Sequence, residues 1–263
     1  HPPHPVHPRA SNGSGAQRVN SSDDSTGLAA HRVAEYVTEQ FGVVFLALEH
    51  VKPAVVELVE EAFDREATLL SSELRALEHA FTDALRGCDR MVRGLSFSSD
   101  RGVVADKPYT VAYWIRRPDG GIVERFLLTD PKLEEHYEYH DFDFFVSAKS
   151  GADRIVSGPY VDYGNDNQYR LTFAASVVTV RGFAGVVTAD IYLDRLESQL
   201  LAIARDAHGP VVLVNEDNRI VATNRASLPA GLLLTRRPDW NAIDCHQAGW
   251  NVLWREADGF DRS

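Results

Sequence analysis

Apolar residues recur at three- and four-residue spacing from Leu28 onward, with Val33, Val37, Phe41, Val44 and Leu48 on one face, which predicts a helix. Pro53 interrupts the stripe, because proline has no N–H to give and turns Lys52 before it away from helical geometry. A second helix is therefore expected, carrying Val56, Val59, Phe63, Ala67, Leu70, Leu74, Leu77, Phe81 and Leu85. It should end near Gly87 or Gly94, with Cys88 and Met91 extending its apolar side. Stripes this long exceed what one sheet usually covers, so a homodimer packed through these helices is expected.

After Gly94 the period changes to two. Tyr109–Arg117 reads as a strand, Pro118–Gly121 as a turn and Ile122–Thr129 as the return strand. An aromatic and acidic stretch, Asp130–Gly151, follows, with a short helix expected at Asp143–Lys149. Three more strands are expected at Arg154–Ser157, Tyr169–Val180 and Phe183–Leu193, then an amphipathic helix at Leu193–Ala207. Pro210–Asn224 reads as a hairpin turning at Glu216–Asn218, and Trp250–Arg255 as a last strand. Hairpin-linked strands with few crossover helices imply an antiparallel sheet under long N-terminal helices. The class is α+β, with a small second α/β module at the C-terminus. Residues 1–27 hold almost no large apolar groups and are expected to be a disordered tail. Residues 28–207 form the main unit and 208–263 the small one.

Composition narrows the function. The 263 residues carry 38 acidic and 27 basic side chains, a net charge of −11, which argues against nucleic acid and against anionic membranes as partners. No stretch approaches the length of a membrane span; Glu49 and His50 cut short the best candidate, from Phe41. Cys88 and Cys245 are too sparse for a disulfide framework or a structural zinc site. Neither a nucleotide loop, a serine-nucleophile elbow nor a zinc-protease motif is present, and no cofactor is expected.

Chemistry concentrates in two places. His136 and His140 stand four apart beside Glu134, Glu135, Asp141 and Asp143, which on a helix would be metal-ligand spacing. Tyr137, Tyr139, Phe142, Phe144 and Phe145 are interleaved with these polar groups, and Tyr160, Asp162 and Tyr163 follow one strand later. Aromatic walls with a few fixed polar groups are the makeup of small-ligand pockets. Asp190 lies in an otherwise apolar strand; alternation puts it on one face with Val186, Thr188 and Tyr192, opposite Val187, Ala189 and Ile191. On the neighbouring strand Arg170, Thr172, Ala174 and Ser176 share a face polar and small enough to floor a cavity.

Gly158–Leu200 resembles the C-terminal half of a Cache (PDC-type, PAS-like) sensor domain. Pro159, Tyr160 and Asp162 match that family's Pro-Tyr-x-Asp element, and Gly185, Val186, Asp190 and Ile191 match its Gly-Val-x-x-x-Asp-Ile strand. The long helices and first hairpin fit the rest, so the likeness covers about residues 30–207, and the hairpin from Pro210 looks like an abbreviated PAS-like module. Most Cache domains are extracytoplasmic parts of receptors. This chain is similar to the stand-alone proteins of high-GC Gram-positive bacteria, which implies a soluble, cytoplasmic ligand-binding protein read by a separate regulator.

Amino-acid-binding relatives carry Arg-x-Trp-Tyr before the small helix; here Phe142, Asp143, Phe144 and Phe145 stand in its place, without the Arg that grips a carboxylate. The resemblance therefore implies a small neutral or amine-bearing ligand. Tyr160 and Asp190 would be its polar contacts and Phe144, Phe145 and Tyr137 its walls, with Asp143, Thr172 and Tyr113 completing the set. Arg170 or His140 could still supply a carboxylate contact. Two other readings remain open: a metal-assisted hydrolase using His136, His140, Asp141 and Asp143, and an interaction protein with a collapsed pocket.

Overall fold

The computed structural model describes residues 24–65, 68–127, 129–133, 136–161, 169–235, 239–246 and 249–257. The tail expected over 1–27 lies outside them up to residue 23, and its last four residues already belong to a helix.

That helix, α1 (Asp24–Asp64), has 41 residues and runs through Pro53 without ending. At ~1.5 Å per residue it is roughly 60 Å long. Val51 before the proline and Val55 and Val59 beyond it are all fully buried, so tertiary packing of the apolar stripe outweighs the hydrogen bond that proline cannot make. The break expected at Pro53 falls further on instead. A 3₁₀ turn at Ser71–Leu77 leads into α2 (Glu78–Gly87), so the expected second helix is split between the end of α1 and α2.

The segment Val92–Ser99, which begins where the expected helix ends and has no expected element beyond Gly94, is a strand, β1. With β2 (Val111–Arg116), β3 (Ile122–Glu124), β4 (Ile155–Val161), β5 (Tyr169–Thr179) and β6 (Gly182–Tyr192) it builds an antiparallel sheet in the order β3-β2-β1-β6-β5-β4. β3 is shorter than the expected return strand. The small helix α3 (Asp143–Lys149) falls where expected, and α4 (Leu193–Ile203) follows β6.

Alternation divides the sheet. Leu95, Phe97, Leu171, Phe173, Ala175, Val187, Ala189 and Ile191 are buried in one core with α1, where the rings of Phe41 and Phe45 stand 4.7 and 5.3 Å from that of Phe173. Among the described residues the opposite face is covered chiefly by α3 and the segment before it. Tyr139, Phe144, Phe145, Ala148, Ala174 and Val186 form a second, small core there.

A second antiparallel sheet comprises β7 (Val211–Val214), β8 (Ile220–Thr223), β9 (Asn241–Asp244) and β10 (Asn251–Trp254), in the order β8-β7-β10-β9. Its helical layer is lent by α1 and α4. Phe41 of α1 also meets Trp250 at 5.1 Å, and the Thr38 hydroxyl donates to the Cys245 carbonyl at 2.7 Å. One helix therefore spans both sheets.

Candidate functional site

Asp190 is the centre of the sheet face turned away from α1. Its Oδ2 accepts from the Tyr113 hydroxyl at 2.7 Å and from Arg170 Nη1 at 3.2 Å, while Oδ1 accepts from Thr172 Oγ1 at 2.8 Å. Register explains the cluster: Thr172 pairs directly with Asp190 across β5 and β6, and Arg170 is one step along the same face. Tyr113 comes from farther away. It lies on β2 opposite Ser96 of β1, and its ring must cross β1 diagonally to reach Asp190. Gly94 leaves the path open. A Cβ there would stand 2.7 Å from a ring carbon of Tyr113 and 2.7 Å from the Trp114 carbonyl oxygen. Burial, with the Asp190 charge next in effect, pushes the Tyr113 phenol well above its usual range, so it remains a donor.

Tyr160 joins through Thr172, its hydroxyl 2.5 Å from Thr172 Oγ1. Since Thr172 donates to Asp190, Tyr160 is the donor in that pair, and the hydroxyls run in one direction, Tyr160 to Thr172 to Asp190. A bulge places Tyr160 on this face. Ser157 pairs with Thr172 and Tyr160 with Arg170, so three steps on β4 match two on β5. Gly158 sits inside the bulge at φ +120°, where a Cβ would come within 2.7 Å of the Arg170 carbonyl oxygen. The two residues singled out as polar contacts, Tyr160 and Asp190, therefore share one face.

Between this floor and its cover lies an inner cavity of about 10 Å³, the space of one water molecule, lined by Ser96, Ser98, Val111, Tyr113, Leu127, Tyr137, Phe144, Thr172, Thr188 and Asp190. On the other side of Phe144 a cleft of about 440 Å³ opens toward the second sheet. Asp141, Phe142, Asp143, Ser147, Ser157, Tyr160, Asn215 and Arg219 are among its walls. Phe144 lines both spaces and stands between them.

The structure thus brings Tyr113, Tyr137, Phe144, Thr172 and Asp190 to one cavity. Tyr160 reaches the Asp190 network through its hydroxyl and the outer cleft through its ring. Asp143 opens only onto the cleft. Phe145 is a correction: it lines neither space, being packed against Tyr139, His140 and Phe183 in the small core, because it leaves α3 one position round from Phe144. Asp162 and Tyr163 lie outside the described residues, as do Glu134 and Glu135. Ser96, Ser98 and Thr188, the first and last joined by a 2.7 Å hydroxyl contact, belong to the cavity; Thr188 was expected on the face of Asp190, whereas Ser96 and Ser98 were not anticipated. Arg170 was anticipated on the floor but not as the ion-pair partner of Asp190.

The histidines serve the cover. His136 Nδ1 contacts the Leu133 carbonyl at 2.8 Å and Nε2 meets Glu138 at 2.6 Å. That hydrogen bond raises the His136 pKa and lowers that of Glu138. His140 is held between the rings of Tyr109 and Tyr139 at 4.1 and 4.2 Å, with Glu138 Oε1 3.4 Å from its Nδ1, and burial lowers its pKa. The Tyr139 hydroxyl donates to the Ser99 carbonyl at 2.7 Å and accepts from the Thr110 amide at 3.1 Å, which ties the cover to the ends of β1 and β2; burial pushes its pKa up to about 12. Among the described residues no group of three or more His, Cys, Asp and Glu could hold a metal ion, and no helix is long and apolar enough to cross a membrane.

Residues 96–198 match the family described as methyl-accepting chemotaxis protein-like, first PDC sensor domain. No curated protein matches the chain in sequence. In structure it is similar to methyl-accepting chemotaxis protein X, with a TM-score of 0.65 and 14% identity over 88% of this chain and 96% of that one. It is also similar to the extracellular domain of the putative histidine kinase soHK1S-Z6, with a TM-score of 0.55 and 17% identity over 88% and 91% of the two chains. The ligand-binding domain of the Pseudomonas fluorescens chemoreceptor CtaA, in complex with L-valine, gives a TM-score of 0.52 and 18% identity over 91% and 97%. At these identities the likeness speaks for the fold, and the sheet order and the long helix agree with it: residues 96–198 match a PDC (Cache-type) sensor domain, set in a chain of the same fold.

Proposed function

We propose that the protein is a sensory module that binds a small neutral or amine-bearing molecule between the site face of the six-stranded sheet and the cover formed by Tyr137–Lys149. The carrying observation is a polar floor converging on Asp190, roofed by Tyr137 and Phe144, with a cleft of about 440 Å³ directly beyond Phe144. A ligand would enter from the cleft and displace Phe144, merging the two spaces. The CtaA domain of the same fold holds an amino acid, which supports a small metabolite as the class of ligand.

The readout would pass through β5. Thr172 faces the ligand and Phe173, the next residue, packs on Phe41 and Phe45 of α1. A shift of the strand would be felt by the helix that spans both sheets, biasing a two-state arrangement read by a separate regulator or a second copy. Leu28 and Leu46 of α1, 60% and 67% exposed, are the residues through which a second copy would pack. The small volume of the inner cavity favours a second reading, an interaction protein whose pocket stays closed.

A thermal-shift screen with small amides, polyols, amines and amino acids separates the two. A ligand should raise the melting temperature by mass action, and Ser96→Leu, which fills the inner cavity, should abolish that shift. No shift from any probe at millimolar concentration would overturn the sensory reading.

A further inference from the structure

Arg170 is 0% exposed and stands 3.2 Å from Asp190, the one carboxylate among the described residues that lines the inner cavity. A buried guanidinium is retained only with compensation, and part of that compensation here is Asp190. Tyr113 and Thr172 take further lone pairs of the same carboxylate, leaving a ligand roughly one of about four acceptor directions. A ligand ammonium at Asp190 would meet a carboxylate already paired with the Arg170 guanidinium, in a setting too dry to screen the two like charges from each other.

We infer that Arg170 is the specificity-determining residue of this pocket: it cancels the charge of Asp190 and restricts the ligand to neutral hydrogen-bonding molecules such as small primary amides. The inference rests on the sensory reading above and narrows it. A primary amide fits the walls, since its N–H₂ can donate to the remaining Asp190 acceptor and its carbonyl can accept from the Ser96, Ser98 or Thr188 hydroxyls. An ammonium offers no acceptor to those hydroxyls. A carboxylate offers no donor to Asp190.

The test uses probes matched in size but not in charge: propionamide, propylammonium, propionate and glycine, titrated against the full chain with melting temperature and calorimetry as readouts. Propionamide should bind about tenfold or more tighter than each of the other three. Arg170→Met should gain propylammonium binding, because Asp190 loses its cationic partner, and Asp190→Asn should gain propionate binding, because the negative charge beside the guanidinium is removed from the cavity. The two variants remove opposite members of the pair, so failure of one to fold leaves the other informative. Propylammonium or glycine binding the wild type as tightly as propionamide would overturn the role of Arg170 while leaving the pocket in place. No probe binding the wild type or either variant would overturn the pocket itself.

Discussion

The two faces of the six-stranded sheet are built from alternate residues of the same strands, yet they obey different rules. Toward α1, Leu95, Phe97, Leu171, Phe173, Val187 and Ile191 meet a continuous apolar stripe of a 41-residue helix. Toward α3, the neighbours of those residues are Ser96, Ser98, Thr172, Thr188 and Asp190, covered by a 7-residue helix and an aromatic segment. The first face gains from area removed from water, which tolerates approximate fit. The second depends on each buried polar group finding a partner, which does not. A strand that carries both couples a generic core to a particular chemistry, one residue apart.

The contrast can be broken from either side. The largest effect is expected for Phe173→Ala, which opens a cavity between β5 and α1 and should lower unfolding free energy by about 3–5 kcal/mol in urea titrations. Asp190→Ala, on the other face of the sheet, removes almost no apolar area but takes the Asp190 carboxylate away from the buried Arg170, and should cost roughly 3 kcal/mol. If that substitution proved neutral, the site face would not depend on paired polar groups as argued. On the helix side, Pro53→Ala should raise stability by about 2 kcal/mol, because Pro53 is exposed and alanine restores a donor to the helix interior. Thr172→Val interrupts the hydroxyl run from Tyr160 and should cost about 1 kcal/mol while leaving the α1 core intact by near-ultraviolet circular dichroism.

The smallest effect is in the cover and depends on pH. His140 has its folded-state pKa lowered from 6.5 by burial, so the folded state binds fewer protons than the unfolded one. The linked stability is present above 6.5 and is lost as pH falls through the folded value. His136 is shifted the other way; its contribution is present below 6.5 and lost as pH rises through its folded value. His140→Phe removes only the first, so the fall in melting temperature from about pH 7 to about pH 5 should be shallower than in the wild type. An unchanged slope would show that His140 contributes nothing to the pH response.

What was legible in the sequence follows the same division. The α1 stripe, the α3 helix and the β5–β6 hairpin were readable because apolar spacing encodes burial. Alternation alone placed Asp190 and Thr172 on the face away from α1. β1 was not readable, although it is central. Its inward Leu95 and Phe97 alternate with Ser96 and Ser98, and small polar residues in a strand look like a loop until a partner strand covers them. Ser96 and Ser98 were lost to the site with it. Pro53 misled in the opposite direction, because local propensity marks a break that the packed stripe overrides. The Arg170–Asp190 pair needed cross-strand register, which no single segment contains.

Gly94 carries no functional group, touches no ligand surface and would pass unnoticed in any search by chemical type. Its bare Cα is nevertheless what lets a tyrosine on β2 serve an aspartate two strands away. The reach of that side chain is fixed by a neighbour that is missing one. The pocket's chemistry could therefore be redirected without changing any residue that lines it, simply by giving position 94 a methyl group.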